Sequence, residues 1–113
     1  MLAILGLVEV TFALPTEELV TALPDYDPFE GFGVYSGYVD IRNSSKKIHY
    51  VFVESAQDPK NDPLVLWTNG GPGCSSMLGF MQEHGPLAWA DGASGMVKNP
   101  YSWNREANML YIE

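Results

Sequence analysis

Hydrophobic and polar residues follow a strand-like rhythm through much of the chain. Between Val34 and Ile41 they alternate, with Tyr35, Val39 and Ile41 on one side and Ser36, Tyr38 and Asp40 on the other. A period of two predicts a half-buried strand. Ile48 to Glu54 is rich in β-branched and aromatic residues and predicts a second strand. The polar turn Asn43-Ser44-Ser45-Lys46 between them makes the pair an antiparallel hairpin. The rhythm then changes. Leu64-Val65-Leu66-Trp67 and Met109-Leu110-Tyr111-Ile112 are apolar at every position, which predicts strands covered on both faces, as at the centre of an α/β sheet. Ser75 or Ser76 is placed to cap a helix over 77–83, and Gly85-Pro86 stops it. Residues 15–33, with their prolines, glycines and acids, read as an extended arm or loop, and 90–104 as loop. One short helix cannot cover a sheet with two such strands, so the pattern predicts an incomplete domain.

Composition narrows the function classes. The chain has 113 residues, 46% hydrophobic and 18% charged, which is globular and enough for one small domain. With 14 acidic against 6 basic residues the net charge is -8, which speaks against a nucleic-acid partner, because phosphate binding needs a basic surface. The apolar N-terminus is too short to span a bilayer. Thr11-Phe12-Ala13 places small residues where a cleavage site needs them, so 1–13 is a candidate signal peptide, leaving 14–113 as the folded segment. No Lys or Arg precedes Arg42, and an ordinary helix or a mis-assigned start is the alternative. Asn43-Ser44-Ser45 fits the glycosylation acceptor pattern. Cys74 is the one cysteine: a free buried thiol in a cytosolic protein, half of a disulfide in a secreted one. His49 and His84 have no second ligand beside them, and each reads as structural. No metal spacing occurs, and neither a metal nor an organic cofactor is expected.

The stretch Leu66 to Met77, LWTNGGPGCSSM, carries the chemistry. Glycines at a strand-to-helix junction free backbone N–H groups to point outward, and a helix start adds partial positive charge. Such a loop suits an anion, or an oxygen that becomes one during reaction. A phosphate loop would need a lysine after the last glycine, and none follows Gly73. The run Gly31 to Gly37 misses the dinucleotide fingerprint by one residue and leads into a strand. What remains is an oxyanion loop after an inner strand, the arrangement of α/β-hydrolases.

Trp67-Thr68-Asn69-Gly70-Gly71-Pro72-Gly73-Cys74-Ser75-Ser76 resembles the W-L-N-G-G-P-G-C-S-S signature of serine carboxypeptidases, with Thr68 the one departure. Further blocks follow in that family's order. Tyr35-Ser36-Gly37-Tyr38 resembles its Y-[SA]-G-Y, and Glu83-His84-Gly85-Pro86 its E-x-G-P. Asn99-Pro100-Tyr101-Ser102-Trp103-Asn104, Ala107-Asn108 and Leu110-Tyr111-Ile112-Glu113 resemble N-P-Y-S-W-N-x-x-A-N-x-L-[FY]-[LI]-[ED]. The likeness covers about residues 22–113.

The resemblance implies the N-terminal portion of an α/β-hydrolase: an antiparallel hairpin leading into a mostly parallel central sheet. It also implies a complete protein that hydrolyses C-terminal residues from peptides, in a lysosome, vacuole or secreted space. The Gly71 N–H would be an oxyanion donor. The Asn69 side chain and Gly70 N–H would hold the free C-terminal carboxylate of the peptide partner. Trp67 would support that pocket, and Glu83 would hydrogen-bond Asn69. Cys74 would pair with a cysteine outside this chain. The nucleophile elbow G-x-S-x-G is not met, since Gly73-Cys74-Ser75-Ser76-Met77 ends in methionine. The family's serine, aspartate and histidine are expected beyond residue 113, so the chain alone is expected to be inactive. Two alternatives stand beside this reading: a related acyltransferase, and a non-catalytic truncated product.

Overall fold

A computed structural model describes residues 14–113 apart from 25, 27, 28, 90, 91 and 93; the candidate signal peptide at 1–13 lies outside the described residues. The predicted hairpin is present. Strand β1 (Val34–Asp40) pairs antiparallel with β2 (Lys47–Val53), Val34 opposite Val53 and Asp40 opposite Lys47. The turn between them is closed by the Ile41 N–H donating to the Lys46 carbonyl at 3.1 Å, with Asn43 at φ 61°. Left-handed backbone is tolerated by asparagine better than by most residues.

Strands β3 (Leu64–Trp67) and β6 (Asn108–Ile112) add to the hairpin in the order β1-β2-β6-β3. β6 is antiparallel to β2 and parallel to β3. The result is a mixed sheet with one parallel pair. Between β3 and β6 lie the helical run 77–83 and a small hairpin of β4 (Leu87–Trp89) and β5 (Met96–Lys98). The expectation of loop over 90–104 is therefore corrected at 96–98. Strands of three residues are too short for alternation to register.

One face of the sheet is closed. Val34, Val51, Val53, Met109 and Tyr111 are buried against Phe80 of the helical run, with Val65, Trp67 and Met77 at the margin. The arm supplies Val20, Phe29 and Phe32 to the same cluster. It is tied to β1 by the Val20 N–H donating to the Val34 carbonyl at 2.8 Å. The opposite face is open. Leu64 and Leu66 are 61% and 58% exposed, so within the described residues β3 is covered on one face, as an incomplete domain leaves it. β3 lies at the sheet edge, and among the described residues nothing packs over its outward side chains.

Candidate functional site

The glycine loop leaves the end of β3, the sheet strand that runs parallel to its neighbour β6. Its exit is clamped by Ser76, a buried hydroxyl that accepts from the Asn69 N–H at 3.1 Å and donates to the Ile112 carbonyl of β6 at 2.5 Å. Ser75 takes the capping role instead, its hydroxyl accepting from the Met77 N–H at 3.1 Å. The two serines divide the tasks of holding the loop and starting the helix.

Residues 70–74 are exposed. Gly71 has φ 138° and Gly73 has φ 90°, backbone that side chains resist. A Cβ on Gly71 would also lie 3.0 Å from the Gly73 nitrogen and 3.1 Å from that of Cys74. Among the described residues the Gly70 and Gly71 N–H groups donate to no acceptor in the chain. Cys74 is a free and exposed thiol, not a buried one.

Asn69 is oriented from behind. The Trp67 indole N–H donates to its Oδ1 at 2.8 Å. An indole can only donate, so this bond fixes which end of the carboxamide faces inward. The NH2 group is turned away from the indole, and among the described residues it donates to nothing.

Behind Trp67 stands an aromatic wall. His84 is 6% exposed and meets the Trp67 ring edge-on at a centroid distance of 4.3 Å. It stacks on Trp103 at 4.4 Å and on Tyr111 at 5.7 Å. Its Nδ1 lies 3.1 Å from the Tyr111 hydroxyl. Burial holds the His84 ring below the usual histidine range, against the opposing pull of the neighbouring Glu83 charge. Burial likewise pushes the Tyr111 phenol up. Glu83 is exposed; its carboxylate approaches His84 Nε2 at 4.0 Å and makes no hydrogen bond to Asn69. The structure thus holds Trp67 at the end of β3 beside Asn69 and Gly70 of the loop, with Glu83 at the edge of the wall.

The helical run ends in a wide turn over Gly79–Glu83, where the His84 N–H donates to the Gly79 carbonyl at 3.0 Å. Single turns of this kind occur often at functional sites. Gly79 has no room for a side chain. A Cβ there would meet Trp67 Nε1 at 2.5 Å and His84 Nε2 at 3.2 Å. Asn99 finishes the turn, its amide donating to the Glu83 and Gly85 carbonyls at 3.0 and 2.9 Å. Asn108 does comparable work, accepting from the Ser55 N–H at 3.0 Å and donating to the Pro59 and Asp62 carbonyls. Sequence reasoning offered Ser76 only as a helix cap and missed Gly79 and Asn99 as supports. A glycine inside a helical pattern was the one available signal. Asn43, the glycosylation candidate, sits exposed in the β1–β2 turn.

A family model described as serine carboxypeptidase matches residues 24–113. The chain is 51% identical over 102 residues to the lysosomal protective protein of Mus musculus, a match covering 89% of the chain and 21% of that protein. It is 41% identical over 110 residues to serine carboxypeptidase-like 20 of Arabidopsis thaliana, covering 92% of the chain and 22% of that protein. It is 51% identical over 83 residues to carboxypeptidase Y homolog A of Trichophyton rubrum, covering 74% and 15%. The chain belongs to the serine carboxypeptidase family. It spans about a fifth of the length of the first two of these curated relatives.

Proposed function

We propose that the complete protein carrying this chain is a serine-type carboxypeptidase, and that residues 66–84 supply its carboxylate pocket and part of its oxyanion hole. On this reading the chain is the N-terminal part of an α/β-hydrolase domain. A serine hydroxyl from outside the chain attacks the last peptide bond of the substrate. The carbonyl oxygen gathers charge as it becomes tetrahedral, and the Gly71 N–H donates to it. Losing a donor of this kind costs about 10²–10³ in rate. The Asn69 NH2 and Gly70 N–H hold the carboxylate of the residue to be released, with Glu83 beside them. An internal peptide bond would leave these donors unsatisfied, so chain ends are preferred. By the same reading the protein works in a lysosome, vacuole or secreted space. Residues 1–13 direct it there, Asn43 carries a glycan and Cys74 pairs with a cysteine elsewhere.

The observation that supports this most is the orientation of Asn69. Its oxygen is occupied by an indole that can only donate, so a donor group is left to face outward. The test is Asn69→Ala in the complete protein. Turnover of a peptide with a free C-terminus should fall about tenfold or more, relative to an ester whose carboxylate is blocked. Equal losses on both substrates would remove Asn69 from the carboxylate role. Assay on a glucose ester with an alcohol acceptor separates the acyltransferase alternative.

A further inference from the structure

The His84 ring stands behind the candidate pocket, and its hydrogen bonding is constrained. Tyr111 is fully buried, so its hydroxyl cannot reach water. Among the described residues the one acceptor within reach of that hydroxyl is His84 Nδ1, at 3.1 Å. A buried O–H left without an acceptor is costly, so the Tyr111 hydroxyl donates and Nδ1 accepts. A neutral imidazole that accepts at Nδ1 carries its proton on Nε2.

That Nε2 is buried and makes no hydrogen bond among the described residues. Two groups lie near it. The Glu83 carboxylate is at 4.0 Å, and a single point, the place of a Cβ on Gly79, lies against both Nε2 and the Trp67 indole nitrogen. The Nε2–H therefore sits at the end of the indole that holds Asn69.

We propose that His84 is a positioning residue of the carboxylate pocket: with Nδ1 taken by Tyr111, its Nε2–H faces the Glu83 carboxylate across 4.0 Å and draws that carboxylate electrostatically toward the Trp67 end of the site. This rests on the carboxypeptidase reading. It assigns to Glu83 an orientation set by its neighbour in the chain. It also explains why the ring is stacked rigidly between Trp103 and Tyr111 and against Trp67.

The test compares His84→Phe, which keeps an aromatic ring and removes both nitrogens, with His84→Gln, which keeps an N–H donor. In the complete protein, His84→Phe should raise KM for a peptide with a free C-terminus about tenfold more than it raises KM for a carboxylate-blocked ester. His84→Gln should recover most of that loss. An unchanged KM in His84→Phe, equal losses on peptide and ester, or no recovery in His84→Gln would overturn the proposal. Should His84→Phe not fold, Tyr111→Phe decides. It frees Nδ1, and KM for the peptide should rise about threefold more than KM for the ester; an equal change on both overturns the proposal. A wild-type protein that handles amidated and free C-termini alike counts against the carboxypeptidase reading. A wild type that distinguishes them beside a His84→Phe variant that does so equally well counts against His84 alone.

Discussion

Residues 70–74 are exposed, with two amides that donate to nothing in the described chain, while Phe80, His84, Gly85 and Tyr111 just behind them are buried and tightly packed. A loop without side chains is free to approach a ligand, but it cannot hold itself in place. The wall supplies what the loop lacks. Trp67 joins the two, one end of its indole bonded to Asn69 and its ring set against His84 and Trp103. Ser76 joins them again through β6. Substitutions in the wall should therefore act on stability and on the site together, whereas substitutions in the loop should act on the site alone.

The largest effect is expected at Gly85. A Cβ there would fall on the Phe80 carbonyl oxygen, and backbone has little room to give. Gly85→Ala should cost about 3 kcal/mol, read by denaturant unfolding of the complete protein. Gly79→Ala comes next. Its Cβ would meet the Trp67 nitrogen at 2.5 Å, so the indole must shift off Asn69. A stability loss of about 2 kcal/mol should come with a higher KM for peptides with free C-termini. Loss of stability without a change in KM would separate wall from loop. Ser76→Ala leaves the Asn69 N–H without its acceptor and the Ile112 carbonyl without its donor, and should cost about 1–2 kcal/mol.

A smaller effect follows from pH. The groups facing His84 are Glu83 beside it and Tyr111 on β6; the other contacts, Trp67 and Trp103, carry no charge. Its folded pKa is lowered by burial. As pH falls below about 6.5 the unfolded chain takes up a proton that the folded chain refuses, so stability declines on the acid side. Above that range the residue contributes no pH dependence. His84→Gln should flatten the acid slope of the unfolding midpoint; an unchanged slope would place the titration elsewhere. Gly70→Ala is expected to change stability least, within about 0.5 kcal/mol, because its Cβ would meet nothing within 4 Å. Peptide turnover should still fall if the loop binds the substrate carboxylate as proposed, since that Cβ would stand in the open space in front of it.

The sequence made the hairpin legible through its alternation and its β-branched and aromatic content, β3 and β6 through unbroken apolar runs, and the run 77–83 through its cap and stop signals. It did not say which face of β3 this chain leaves open. Four apolar residues in a row are consistent with covering on both faces, yet Leu64 and Leu66 face outward on an edge strand. It missed β5 because three residues carry no period. The glycine loop and Asn69 stood out through composition and family likeness. The wall did not, because His84, Trp103 and Tyr111 come from separate elements and meet only in space. Nor could sequence assign the serines. Whether Ser75 or Ser76 caps the helix depends on where β6 passes, and Ser76 is drawn away to the Ile112 carbonyl.

The most direct test is a crystal structure of the complete protein with a cleaved peptide product bound. The account predicts the product carboxylate within about 2.7–3.2 Å of both Asn69 Nδ2 and the Gly70 nitrogen, with the indole of Trp67 still donating to Asn69 Oδ1. A carboxylate held elsewhere, with the amides of 70 and 71 turned to acceptors within the protein, would contradict it.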